Sequence, residues 1–244
     1  MPYRRLPNTD SARLKSLRSA FEKGKDVPPF KLAFSPSSYM RVQSVLPSFE
    51  NAISEHKNSL NLQAEKNKEY QKRIRKARLY ISHFIQVVNM AIIRGELPQD
   101  TRNYFGLEEE DKKLPSLNTD EEVIRWGTQL IEGEKKRRNK GLNPITNPTI
   151  AVVKVHFDKF VEYHNFQKSL RKRSQRAQDS LNEKRSQVDG VIQQIWNEVE
   201  DTFQDLPEEI KREKATEYGL VYVFRKSELA NFTVFEQSRM GGTG

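Results

Sequence analysis

The sequence predicts an all-α protein: an elongated antiparallel helical bundle made from two long, coiled-coil-like helices and several short ones. Three observations lead there. Apolar residues recur every seven positions along two long stretches. The chain is only 35% hydrophobic and 31% charged, too polar for a thick core but sufficient for narrow apolar stripes along helices. The two stretches also share an order of motifs about 110 residues apart, a weak tandem duplication.

Residues 1–9 read as an extended arm, because Pro2 and Pro7 oppose an early helix. Asn8, Thr9 and Asp10 are N-cap candidates for a short helix ending at Gly24, with Leu14, Leu17 and Phe21 on one face. Basic residues decorate its remainder, and Val27-Pro28-Pro29-Phe30 reads as a linker.

The first long segment opens at Ser35-Pro36, a cap followed by proline at the first helical position. Val42, Phe49, His56, Gln63, Tyr70, Ala77, Phe84 and Ala91 are seven apart, with Leu46, Ile53, Leu60, Asn67, Ile74, Ile81 and Val88 as companions. Pro47 is expected to kink the run or mark a short preceding piece, and Gly95 and Pro98 end it. Its ends are apolar and its middle is polar. Either one continuous helix with a loosely packed centre or a hairpin folded near 58–67 fits that pattern; the lack of Gly or Pro there favours continuity.

Tyr104-Phe105-Gly106-Leu107 precedes an acidic run from Glu108 to Asp111 and a loop from Pro115 to Asn118. Thr119 and Glu122 form a capping box, opening a helix of about twenty residues with Val123, Trp126, Leu130 and Ile131 on one face. Its terminal Lys135-Lys136-Arg137-Arg138 suits the helix dipole and reads equally as a binding cluster. Residues 139–148 form a linker with Gly141, Pro144 and Pro148. The second long segment runs from about Thr149 to Gln204, again apolar at both ends and polar between. Leu220 to Phe224 reads as a short β-strand or a hydrophobic strap, and Met240 to Gly244 as a disordered end.

The repeat sets Lys57-Asn58-Ser59-Leu60 against Gln167-Lys168-Ser169-Leu170, and Leu97-Pro98 against Leu206-Pro207. Tyr104-Phe105-Gly106-Leu107 is set against Tyr218-Gly219-Leu220. The segments are a basic arm and short helix (1–31), a first long-helix unit (32–107) and an acidic loop, connector helix and linker (108–148). A second long-helix unit (149–226) and a C-terminal extension (227–244) complete the chain. Two similar helices with a compact connector should lie antiparallel, and a second copy would cover apolar stripe left exposed, so a homodimer or another protein partner is expected.

No cysteine is present, which removes disulfides, thiolate metal sites and cysteine nucleophiles. No secretory signal, membrane partner or membrane span is expected, since no apolar run is long enough; the setting is expected to be cytoplasmic. The four histidines show no metal-binding spacing, and no phosphate loop or nucleophile elbow occurs. No enzymatic activity, cofactor, metal or small-molecule substrate is expected.

The net charge of +9 points to polyanions or to a solvated basic surface. Two polar middles concentrate it, and the candidate polyanion-binding residues are Lys72, Arg73, Arg75, Lys76 and Arg78 in the first and Lys168, Arg171, Lys172, Arg173 and Arg176 in the second. If the helices pair antiparallel, the zones are expected to form one band suited to the phosphate backbone of RNA or DNA. Tyr70 and Tyr80 are the only aromatic candidates for base stacking. Basic middles and acidic ends equally suit self-association. The expected function is therefore a non-enzymatic binding or scaffold protein that self-associates through long helices. The alternative is a nucleic-acid- or ribosome-associated protein.

Tyr3 to Asp10, the run Ile85-Gln86-Val87-Val88-Asn89 to Arg94-Gly95-Glu96-Leu97-Pro98, and Leu117-Asn118-Thr119 through Trp126-Gly127 resemble an uncharacterised family of basic all-helical cytoplasmic proteins associated with Bacteroidota. The resemblance covers residues 3 to about 226. It implies an all-helical fold in the cytoplasm and transfers no activity, cofactor or site residue.

Overall fold

The computed structural model describes residues 3–108 and 113–223. Most of the acidic run (109–111), Phe224 and the C-terminal extension lie outside the described residues. The elements are β1 (Tyr3–Arg4), α1 (Asp10–Asp26), a 3-10 turn at Pro29–Lys31, α2 (Pro36–Ile93), α3 (Thr101–Tyr104), α4 (Asp120–Asn139), α5 (Ile150–Thr202), α6 (Glu208–Thr216) and β2 (Tyr222–Val223). The fold is all-α, with one two-stranded antiparallel ribbon that pairs Tyr3 with Val223 and Arg4 with Tyr222. Among the described residues no helix is long and apolar enough to cross a membrane.

Both long segments are continuous helices. Ser35 Oγ accepts the Ser38 N–H at the start of α2. Gly95, at φ +74°, closes its end as the Glu96 N–H returns to the Ala91 carbonyl. Pro47 stays inside the helix. It and Gln43, four residues before, are exposed, so the carbonyl left without a helical donor faces solvent. α1 runs past Gly24 to Asp26, with Thr9 as its N-cap. The capping box at Thr119 and Glu122 forms with both reciprocal bonds.

The seven-residue register holds at the ends and drifts in the middle. Leu60 and Asn67, expected on the stripe, are exposed, whereas Ser59, Leu170 and Ala177 are buried. A helix of 3.6 residues per turn slips about 20° per heptad against a strict repeat, and Ser59, Leu170 and Ala177 fill the shifted seam.

The chain forms two compact units, 1–58 with 176–244, and 59–175. Each takes one end of each long helix. In the first unit, Val42, Leu46 and Phe49 of α2 pack with Val188, Ile192, Ile195, Trp196 and Val199 of α5; Leu17 and Ala20 of α1 and Ala215, Tyr218 and Leu220 at the chain's far end complete the cluster. Pairs such as Arg41 with Gln194 and Ser38 with Glu198 set the helices antiparallel. Glu198 also accepts the Ser35 N–H. Burial pushes this carboxyl up, but the Ser35 N–H, Gln194 and Ser38 outweigh it and hold it below its ordinary value. α1 is clamped to α5 by two bidentate pairs: Arg13 donates to both oxygens of Asp189, and Arg185 to both of Asp10.

In the second unit Tyr70, Ile74, Ala77, Ile81, Phe84 and Val88 of α2 pack with Val153, Phe157 and Phe160 of α5, covered by Val123 and Leu130 of α4 and by Phe105 and Leu107 after α3. Gly127 admits the Phe157 ring, and Gly133 lies against the Tyr104 carbonyl. The basic end of α4 turns partly inward. Arg137 is buried and donates to Glu134, also fully buried, and to the Asn143 carbonyl; the second Glu134 oxygen accepts the Ile145 N–H. Arg137 therefore ties the 139–148 linker to the core, while Lys135, Lys136 and Arg138 remain exposed.

The two units repeat one plan. Each begins a short helix with Asn-Thr-Asp, at 8–10 and 118–120. Each closes on a buried aromatic, a positive-φ glycine and a buried leucine: Phe105-Gly106-Leu107 and Tyr218-Gly219-Leu220. Phe105 meets Phe84 edge to face at 5.5 Å, and Tyr218 meets Phe34 at 5.9 Å. The duplication is thus expressed with its halves exchanged. Each unit joins the opening half of one repeat to the closing half of the other.

Candidate nucleic-acid interface

The second unit holds nearly all of the chain's net charge. Residues 59–175 contain 23 Lys and Arg against 15 Asp and Glu, whereas the rest of the chain has 19 against 18. Within this unit α2 and α5 run antiparallel. Ser174 donates to Gln63 at 2.8 Å, the Arg73 guanidinium lies 5.3 Å from the Tyr163 ring centre, and Tyr80 stacks on His156 at 4.1 Å.

That register staggers the two expected zones. Lys72 to Arg78 lie level with about 158–164 of α5, and Lys168 to Arg173 lie level with the part of α2 that carries Lys66 and Lys68. The zones follow one another along the helix pair and are not side by side, because the antiparallel partner of residue 72 is near 164. Arg176 falls in the other unit and is not part of this face.

The candidates differ in what they do. On α2, Lys72 pairs with Glu69 at 2.8 Å, and Arg75 donates to the Gln71 carbonyl of its own helix. Arg78 is half-buried and donates to the Asn118 carbonyl, just before the cap of α4; its Nε has no acceptor among the described residues. It anchors α4, which removes it from the binding candidates. Arg73 is half-buried between Glu69 and Tyr163. Lys76 is exposed. On α5, Lys168, Arg171, Lys172 and Arg173 are all exposed, and none lies within ion-pair distance of a carboxylate among the described residues. Solvated cations of this kind lose no partner when they meet a phosphate.

Tyr70 does not serve as a stacking platform. It is buried, and its hydroxyl donates to Asp120, which also lies 3.4 Å from His164 Nδ1. Burial, then the bond to Asp120, holds the Tyr70 hydroxyl well above the usual tyrosine range. Tyr80 is half-buried and pairs with His156. Burial, followed by the charges of Lys76, Lys159 and Arg73, holds His156 below the ordinary histidine value, so its ring is neutral near pH 7. Lys159, Tyr163 and Phe166 escaped the reading from sequence, and His156 entered it only as one of four histidines without metal-binding spacing. Their spacing of three, four and three puts them on one helical face, but apolar counting passes over a face so mixed.

The chain matches no protein-family model, no curated protein and no solved structure in these comparisons.

Proposed function

We propose that this is a non-enzymatic, cytoplasmic binding protein whose second unit holds the phosphate backbone of a nucleic acid, free or within a ribonucleoprotein such as the ribosome. The supporting observation is the segregation of charge, with the chain's excess of cations in residues 59–175 and four exposed cations on α5 that pair with no carboxylate among the described residues. Phosphate contacts of this kind give affinity without sequence preference and fall steeply with salt. The test is a gel shift with RNA and DNA at about 50 and 200 mM salt. Binding that weakens at least ten-fold across that range, and is lost in Arg171→Glu/Arg173→Glu, supports the reading. Absence of binding at low salt overturns it. Both arginines are exposed, so the charge reversal tests the surface without removing packing.

Self-association is the second reading. Leu79, Met90 and Ile93 are exposed apolar residues on one face of α2, with the exposed His83 and Gln86 between the first two. The apolar ends of both long helices are covered within the chain by α1, α4, Ala215 of α6 and the segments that follow α3 and α6, which weakens the case for a second copy as an obligatory cover. Light scattering at micromolar concentration separates the readings: a stable monomer removes self-association and leaves polyanion binding intact.

A further inference from the structure

The solvent-facing seam of the second unit interleaves rings with cations along both helices. α2 contributes Lys66, Arg73, Lys76 and Tyr80, and α5 contributes His156, Lys159, Tyr163 and Phe166. The cross-helix contacts are those of Tyr80 with His156, at an interplanar angle of 17°, and of Arg73 with Tyr163. Lys66 lies within electrostatic reach of Tyr163. Phe166, one turn beyond Tyr163 on the same face, leaves 43% of its surface in water. The nearest α2 carboxylates, Glu65 and Glu69, are already bonded to Lys66 and Lys72.

We infer that this seam binds single-stranded nucleic acid, with Phe166 as an open stacking platform and the cations on the backbone. The inference rests on the polyanion reading above and narrows it. A duplex offers phosphates and groove edges but hides the faces of its bases, so an exposed phenyl ring among cations would gain nothing from it. A single strand offers both a charged backbone and unstacked rings, and any base can stack because every base has a π-face. The neutral His156 ring adds a second flat surface without placing another charge against its cationic neighbours. From His156 to Phe166 the face runs about 15 Å, room for about four stacked nucleotides at ~3.4 Å each. A second copy docked seam to seam is a poor occupant, because Lys66, Lys72, Arg73, Lys76 and Lys159 would meet their own like. An acidic polypeptide satisfies the cations but leaves Phe166 in water.

The test is fluorescence anisotropy on the full chain with a labelled 12-nucleotide poly(U) strand, a 12-base-pair duplex and poly-glutamate as competitor. It uses wild type, Phe166→Ala and Phe166→Tyr at one low salt concentration. The expected result is a single strand bound at least ten-fold more tightly than the duplex. Phe166→Ala should lose about ten-fold for the strand and nothing for the duplex, and Phe166→Tyr should retain wild-type affinity. Equal binding of strand and duplex overturns the inference while leaving the polyanion reading in place. So does an unchanged strand affinity in Phe166→Ala, or displacement of the strand by poly-glutamate at equal charge concentration. Failure of both nucleic acids to bind overturns the polyanion reading itself, before any variant is compared.

Discussion

The two units share a plan and treat charge in opposite ways at equivalent places. At the start of α1, Asp10 takes a bidentate bond from Arg185, and Arg13 reaches Asp189 in the same manner. Four charges are consumed in holding a short helix to a long one. At the start of α4, Asp120 instead accepts the hydroxyl of the buried Tyr70 and lies beside His164. The second unit therefore docks its short helix largely with aromatic groups, and cations such as Arg171 and Arg173 on the adjoining turns stay solvated. Similar backbones thus yield one unit neutral on balance and another strongly basic. What separates them is composition, 19 cations against 18 carboxylates in one and 23 against 15 in the other, which leaves arginines of the second unit facing solvent.

The largest expected effect breaks the second unit alone. Glu134→Ala leaves the Arg137 guanidinium buried without its counter-charge, which costs about 3–5 kcal/mol. In chemical denaturation the midpoint should fall sharply. Hydrogen exchange should show protection lost around Val123 and Leu130 and kept around Leu17 and Trp196. Equal loss in both places would mean that the units unfold as one. Replacing Glu134 and Arg137 together by methionine should recover much of the stability, since the uncompensated charge is then gone.

The closing glycines give the next effect. Gly106 and Gly219 sit at φ +64° and +87°, so alanine strains both. An added Cβ at Gly219 would meet the Ser16 backbone at 3.0 Å, whereas at Gly106 it would meet the end of the Gln129 side chain, which can swing aside. Gly219→Ala should cost about 2 kcal/mol and Gly106→Ala about 1 kcal/mol, read from thermal unfolding. The reverse order would show that Gln129 is held more firmly than the α1 backbone.

The smallest effect is a contrast in pH dependence. The bond from Arg185, followed by the fields of Arg185, Arg13 and His56, outweighs burial and holds the Asp10 carboxyl below its ordinary value. Its contribution is present above the unfolded value of about 3.9 and is lost as pH falls through the lower folded value. Asp10→Asn should therefore be less stable than wild type by about 1 kcal/mol near neutrality, discounted for partial exposure, and the gap should close in acid. Tyr70 is raised in the folded chain, so its contribution is present below about pH 10 and is lost as pH rises beyond that. The Tyr70→Phe gap, about 1 kcal/mol, should close in alkali. Stability measured against pH for the two variants checks both signs.

Much of the scaffold was legible along the chain because it rests on local chemistry. The caps at Thr9, Ser35 and Thr119, the end of α2 at Gly95 and the apolar ends of both long helices all follow from spacing within one turn or a few. The same spacing misplaced Leu60 and Asn67, since a straight helix drifts against a seven-residue count. For the candidate interface the residue types were legible and their roles were not. Tyr70 had the composition of a stacking group but spends its hydroxyl on Asp120, and Arg78 had the charge of a contact residue but anchors the entry to α4. Phe166 is an ordinary apolar residue in sequence and is conspicuous only because the fold leaves 43% of its surface exposed.

The sequence by itself determined that the chain is helical, where most helices start and stop, that its plan is duplicated and that it carries an excess of cations. The helices and their ends are properties of neighbours along one segment, and the shared plan and the charge follow from comparing and counting residues along the chain. Only the tertiary structure decided that the repeats exchange halves, that the basic zones are staggered and that Arg137 points inward while Arg171 points out. Those outcomes depend on the register between helices far apart in the chain, where shifting one helix by a residue changes which face meets its partner, and no local pattern carries that information.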